Sequence, residues 1–204
     1  MLQTRTIEPR TLELLKRLMA FPPIEPFFLV GGTALALQLG HRVSIDLDLF
    51  TPQPFDKELL LNALFSEFDI SVESEGDQLL LTYIEEIKVD FVKMGYPILY
   101  PTVEVEGIRL LDIKDVAAMK LKAIAQRGSK KDFYDIYFLS EILPLAEMLT
   151  IFKTKFAQFE VFHIVKSLTY FEDAENFADP IVFDKKVSWT KVKKSIADQV
   201  KMLI

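Results

Sequence analysis

Residues 28–50 read as a strand, a glycine turn, a short helix, a loop and a second strand, and the rest of the chain has to be arranged around that unit. Phe28, Leu29 and Val30 form an apolar run that stops at Gly31-Gly32, the composition of a buried strand ending in a turn. Thr33 opens the helix former run Ala34 to Leu39, which Gly40 closes in the usual position past a helix end. After His41, Arg42, Val43 and Ser44 comes Ile45-Asp46-Leu47-Asp48-Leu49-Phe50. Alternate side chains of a strand share a face, so Asp46 and Asp48 are expected on one side and Ile45, Leu47 and Leu49 on the other. Two like charges backed by hydrophobes repel unless a cation sits between them.

The glycine pair has a matching reason. A turn without Cβ atoms lets backbone N–H groups approach a ligand, and the helix that follows aims its positive end the same way. Alone, Gly-Gly is an ordinary tight turn and Asp-x-Asp a solvated edge strand. Together, with a helix between them, they make a triphosphate seat facing a carboxylate pair that can hold Mg²⁺.

The 204 residues allow one or two domains with a sizeable core. Half of them are hydrophobic and Phe occurs 17 times, which marks a globular chain. There is no cysteine, so disulfides and thiolate metal sites are excluded. No apolar run approaches a membrane span and no signal-peptide block opens the chain, so a cytoplasmic protein is expected. The formal charge of −6 argues against a surface that coats nucleic acid, although a local basic patch is compatible with it.

In chain order, residues 5–20 are expected as a helix whose stripe is Ile7, Leu12, Leu15, Leu18 and Met19. Asp56 caps a second helix to about Phe65, with Leu59, Leu60, Ala63 and Leu64 inward. Strands follow at 70–74, 79–84 and 87–93, joined by turns short enough for antiparallel hairpins. The last of these places Asp90 in a run otherwise suited to a core, where a carboxylate is costly unless paired or bound to metal. An edge-strand Asp alternating with Lys88 on a wet face is the alternative. Residues 103–110 read as a short hairpin turning at Gly107, and the chain becomes helical from about 111. The expected fold is therefore α/β (α+β): a mixed sheet flanked by helices over 1–111, then a helical domain over 112–204 that completes a cleft.

Asp112 or Asp115 can cap a helix over 116–126, in which Lys120 and Lys122 have nearly equally apolar neighbours, so periodicity cannot choose between them. Arg127-Gly128-Ser129 ends it, and the next helix runs over 130–139 with Asp132 and Asp135 on one face of its first turns. Further helices are expected at 144–156, 161–170 and 188–203. Phe152, Phe156, Phe159, Phe162, Phe171 and Phe177 are read as packing residues and His163 as structural. Lys191, Lys193, Lys194 and Lys201 form a basic face, usually a solvated one and here the one electrostatic site for a polynucleotide.

Gly-Gly, a short helix and Asp-hydrophobe-Asp resemble the signature of the DNA polymerase β-like nucleotidyltransferases. The fuller string Gly31-Gly32-Thr33-Ala34-Leu35-Ala36, His41-Arg42, Ser44, Asp46, Asp48-Leu49-Phe50 is similar to the AbiEii/AbiGii-type toxin branch. A second block strengthens the likeness: Lys120-Leu121, Ala123-Ile124, Arg127-Gly128, Lys131-Asp132, Tyr134-Asp135-Ile136-Tyr137-Phe138-Leu139. The resemblance spans roughly residues 25–140. It implies a pyrophosphate-releasing transferase that moves an NMP from an NTP to an acceptor hydroxyl. The metals, a Mg²⁺ pair, would rest on Asp46, Asp48 and Asp90, with Asp90 also helping to deprotonate the acceptor. Gly31, Gly32, Thr33, Arg42, Ser44 and Lys120 would seat the nucleotide. Asp132 would belong to the active site, and Asp135 is a further candidate. The family carries Arg-Asp where this chain has Lys131-Asp132, which keeps the charge and loses the bidentate fork. The implied biology is the toxin half of a toxin–antitoxin pair, with an RNA such as tRNA as acceptor and a cognate antitoxin as partner. A transferase acting on a small molecule or a protein, or a non-catalytic module of the same fold, are the rivals.

Overall fold

A computed structural model describes residues 1–203. Its centre is a seven-stranded mixed sheet in the order β3-β4-β5-β2-β1-β7-β6. The strands are β1 (Phe28–Val30), β2 (Leu47–Thr51), β3 (Ile70–Gly76), β4 (Leu79–Ile84), β5 (Ile87–Lys93), β6 (Val103–Val105) and β7 (Ile108–Leu110). The expected hairpins at 70–93 are antiparallel, and β2 meets β5 in parallel with Asp48 opposite Asp90. The hairpin at 103–110 joins the same sheet, because β7 lies parallel to β1 through Leu29 and Leu110.

One face of the central strands is apolar but for the buried Thr51 and Thr82. Leu47 and Leu49 of β2 and Ile87, Val89 and Phe91 of β5 pack with α1 (Pro9–Ala20) and α3 (Lys57–Glu67). The cost of fixing these strands is met by burying that surface, worth about 25 cal/mol per Å². Asp56 caps α3 by accepting from the Leu59 N–H at 3.0 Å, as expected. Leu59 itself is exposed, as the inward stripe is Leu60 and Leu64. In α1 the buried residues include Leu14 where Leu12 was expected. Ile45 is another departure: β2 begins only at Leu47, so Ile45 precedes the pleat and points outward, 61% exposed.

The opposite face carries α2 (Gly31–Leu39) and the helical half. That half comprises α4 (Ile113–Arg127), α5 (Lys130–Ser140), α6 (Leu145–Lys155), α7 (Val161–Ser167), α8 (Glu172–Glu175) and α9 (Trp189–Lys201). Asp112 is the cap of α4, accepting from the Lys114 N–H at 2.8 Å. Asp115 is instead buried against Lys155 and accepts from the Leu99 and Tyr100 N–H groups, which fastens the 96–101 loop to α4 and α6. Phe28, Val30 and Leu35 share one core with Val116, Leu121, Phe133 and Ile196, so the two halves meet through a common apolar layer. Phe152 and Phe156 lie in that core, whereas Phe159, Phe162 and Phe177 are exposed, as is His163. Lys193 of the basic face pairs with Glu175 and Lys201 with Asp198, which spends part of its charge locally. No helix among the described residues is long and apolar enough to cross a membrane.

Candidate active site

Most of the residues singled out from the sequence line one cavity of about 420 Å³ between the sheet and α4, with Asp132 and Asp135 the exceptions. Alternation makes it so. Leu47, Leu49 and Thr51 of β2 turn into the core, and Asp48 and Phe50 turn the other way, towards α4. In β5, Ile87, Val89 and Phe91 turn inward, leaving Lys88 and Asp90 on the cavity side. Asp46 precedes β2 and also lines the cavity.

These carboxylates are poorly supported as anions. One oxygen of Asp90, Oδ1, is buried without any hydrogen-bond partner. Burial, opposed by Lys88 and reinforced by Asp48, pushes the Asp90 carboxyl up to about 6. Burial likewise raises Asp48, with Lys120 pulling it down and Asp46 pushing it up. A bound cation would remove both penalties. Among the described residues no three acidic or histidine side chains enclose a point at metal-ligand range. The donor set therefore fits an ion held by one or two carboxylates and completed by water or substrate oxygens, which is the habit of Mg²⁺.

Gly31 is required by its backbone and its neighbour, and Gly32 leaves room for the Arg42 guanidinium. Gly31 has φ +68°, and a Cβ there would stand 2.1 Å from Asp48 Oδ2. At Gly32 a Cβ would stand 2.5 Å from Arg42 Nη2. They open α2 itself, one residue pair earlier than its expected start at Thr33. The Thr33 hydroxyl is hydrogen-bonded to Ser44 Oγ at 2.9 Å and to the Asp46 carbonyl, so it braces the loop that carries Asp46.

Behind the cavity lies an ion network centred on α5, buried except for Arg127 at its outer end. Arg42 donates through Nε to Asp135 Oδ1 at 2.6 Å and through Nη2 to Oδ2 at 2.9 Å. His41 Nε2 lies 2.8 Å from the same Oδ1. Lys120 Nζ reaches Asp135 at 2.6 Å and Asp132 at 2.9 Å. Arg127 grips Asp132 with two N–H groups, at 2.7 and 2.9 Å. Burial works against both carboxylates as anions, but the cations outweigh it. Arg42 and Lys120 hold Asp135 well below the usual range, and Lys120 and Arg127 hold Asp132 below it.

The structure thus brings Gly31, Gly32, Thr33, Arg42, Ser44, Asp46, Asp48, Asp90 and Lys120 to one cavity, while Asp132 is fully buried behind its wall. Lys120 and Arg42 line the cavity with their charge largely taken up by Asp132 and Asp135. The fork missing at Lys131 is supplied four residues earlier by Arg127. Lys131 faces the cavity with Nζ 3.9 Å from Asp46 Oδ2. Arg127 and His41 stand in the two blocks of the resemblance with no role legible in the sequence; the pairing of Arg127 with Asp132 at i,i+5 across a helix break has no periodic signature. A strap after α8 also went unseen: Val43 N–H donates to the Ile181 carbonyl and Phe183 N–H to that of His41. It holds the His41–Arg42 loop in place.

The family profile described as nucleotidyl transferase AbiEii toxin, Type IV TA system, matches residues 13–201. An uncharacterized protein of Aquifex aeolicus is 34% identical over 203 residues, covering 97% of each chain. Among solved structures, JHP933 from Helicobacter pylori superposes with a TM-score of 0.61 at 18% identity, covering 97% of this chain and 93% of that one. ANT(2″)-Ia in complex with adenylyl-2″-tobramycin gives 0.56 at 16% identity, over 70% of this chain and 94% of its own. At these identities the two structures speak for the fold alone.

Proposed function

The chain belongs to the AbiEii family of nucleotidyl transferase toxins, and from that premise we propose that it moves a nucleoside monophosphate from an NTP to an acceptor hydroxyl on RNA, with a tRNA end as the model acceptor. The observation that carries this reading is the register of β2 on β5. It sets Asp48 beside Asp90, and one Asp90 oxygen is buried and unsatisfied. Two neighbouring carboxylates in that condition favour a cation between them.

Asp46, Asp48 and Asp90 would hold Mg²⁺, each ion resting on one or two of them. When bound, Mg²⁺ supplies Lewis-acid charge at the transferring phosphoryl group and lowers the pKa of the acceptor hydroxyl. The acceptor oxygen bonds to the α-phosphorus as the bond to the bridging oxygen breaks. Pyrophosphate leaves, and the acceptor's proton passes to Asp90. Gly31, Gly32 and Ser44 seat the phosphates, aided by the N-terminal end of α2. Arg42, Lys120 and Arg127 set three permanent cations against the two carboxylates Asp132 and Asp135. The wall facing the carboxylates therefore keeps a net positive charge, pre-aimed at charge that grows in the transition state.

The same electrostatics bear on the acceptor. The lining carries Arg42, Lys88, Lys120, Lys122, Arg127 and Lys131 against Asp46, Asp48 and Asp90. With Asp132 and Asp135 behind the wall and Glu73 beside Lys88 counted, these cations and carboxylates balance, so bound Mg²⁺ would leave the site locally cationic in a chain of net charge −6. That favours a polyanionic acceptor over a polycationic antibiotic. The family's Type IV toxin–antitoxin description supports a cognate antitoxin as partner. The test is incubation with each labelled NTP, Mg²⁺ and total RNA. Label is expected in RNA with wild type and none with Asp48→Asn. Label in protein or small molecules would overturn the RNA acceptor, and no label anywhere would overturn transfer.

A further inference from the structure

Several residues on the cavity wall are not used by the phosphate and metal chemistry. Met119, Lys122 and Gln126 recur at helical spacing on α4, and Phe50 and Tyr96 come from the sheet and from the loop after it. Lys122 is the informative member. Its Nζ lies 4.9 Å from the centroid of Tyr96, 4.9 Å from Phe156 and 5.2 Å from Phe159. Cations are attracted to aromatic faces, so three rings fix where this ammonium sits. Burial alone lowers its pKa, with no carboxylate opposing it. Lys120, two residues earlier, has its ammonium consumed by Asp132 and Asp135. Lys122 is thus a positioned cation whose N–H donors are unspent among the described residues, on the wall of the cavity that would hold an NTP.

An NTP whose phosphates lie at Gly31 and Gly32 needs an apolar place for its base with a few polar groups at the edge. Phe50 and Met119 supply apolar surface on which a base can pack, while the Tyr96 ring is engaged by Lys122 and Lys155 and holds the ammonium in place. Lys122 can only donate, whereas Gln126 can donate and accept. We propose that Lys122, with Gln126, reads the edge of the NTP's nucleobase, and that the slot selects a base bearing a ring carbonyl oxygen (cytosine, uracil or guanine) over adenine. Adenine lacks any carbonyl oxygen, and its acceptors N1 and N7 both flank the N6 amino group, which stands where guanine offers O6 and sets a donor against the ammonium. This inference rests on the NTP-dependent reading above.

Equilibrium dialysis of the full chain with each of the four labelled NTPs and Mg²⁺ tests it without needing an acceptor. In wild type the tightest NTP is expected to be a carbonyl-bearing one, ahead of ATP by about 10-fold or more, the worth of one hydrogen bond to a charged group. Lys122→Met should bring that NTP close to the ATP value while ATP itself moves little. Lys122→Arg keeps a donor and the aromatic contacts and should retain a preference. Melting curves establish that both variants are folded. ATP as the tightest ligand of wild type, or equal weakening of all four by Lys122→Met, would overturn the base-reading role while leaving the NTP reading intact. Failure of wild type to bind any NTP would sink that reading and this inference with it.

Discussion

Lys120 and Lys122 lie two residues apart on α4 with almost equally apolar helical neighbours, yet their environments make opposite predictions. Lys120 is 3% exposed and is shared by Asp132 and Asp135. Lys120→Met would leave two buried carboxylates short of a partner, and breaking a buried ion pair in this way costs about 3–5 kcal/mol. Lys122→Met keeps the stem and trades the contacts with three aromatic rings for apolar ones on the same rings, so its cost should stay within about 1 kcal/mol. Denaturant unfolding of the two variants measures the contrast, and equal costs would contradict the network described here. Asp90 gives a prediction of the other sign. An unfolded Asp titrates near 3.9, whereas burial raises Asp90 to about 6 in the folded chain. Below about pH 4 the proton is bound in both states and nothing is lost; as pH rises through 6 the folded state must carry an unfavourable charge. Asp90→Asn should therefore stabilise the metal-free protein above pH 6, by about 1 kcal/mol once the shift is discounted for partial solvent screening. The gain should vanish below pH 4 in unfolding curves recorded with EDTA. Asp132 and Asp135 are depressed instead, so their contribution is present at neutral pH and is lost as pH falls below about 4.

The β1–α2–β2 unit was legible in the sequence because every cue in it is local. A buried run, two glycines, a helix closed by Gly40 and a period-two acidic strand need no distant partner to be recognised. Asp90 could be found because it interrupts an apolar alternation, and its strand does lie beside β2. What stayed hidden is non-local. The three-residue strand β7 has too few positions for a pattern, and only its pairing with β1 places it in the sheet. Asp135 looked like a helix-start acid, since its partners His41 and Arg42 are more than 90 positions away. The glycines' surroundings were not visible in the sequence: the close approach they permit in the fold is to Asp48 and Arg42. Gly31→Ala tests that point at the scale of the helix start. It places a Cβ at φ +68° and on top of Asp48 Oδ2, a strain of order 1–3 kcal/mol. Transfer should fall by more than the stability loss explains, because Asp48 has to move. A variant with normal turnover and an unshifted melting temperature would show that the close approach is dispensable.

At the scale of the whole molecule, the division at residue 111 separates a sheet from a helical half, but the apolar layer does not respect it. Phe28, Val30, Leu35, Met94 and Leu111 belong to the first half, and Val116, Leu121, Phe133, Met148 and Ile196 to the second, yet they form one core. The cavity is divided in the same way, with Asp46, Asp48 and Asp90 on the sheet and Lys120, Lys122 and Arg127 on α4. A fragment of residues 1–111 would keep the core beneath α1 and α3 but would uncover the other face of β1 and α2. Exposed apolar patches of that kind drive association. It would also release Arg42 from Asp135, leaving a guanidinium that is 3% exposed in the whole chain without its bidentate partner. The fragment alone should therefore aggregate or melt without a cooperative transition. Residues 112–204 supplied in trans should restore a single cooperative melt, because the lost contacts are all between the two pieces. Calorimetry of each piece and of the mixture decides it: a sharp, independent transition for 1–111 would mean that the sheet half is stable on its own and that the shared layer contributes little to holding it together.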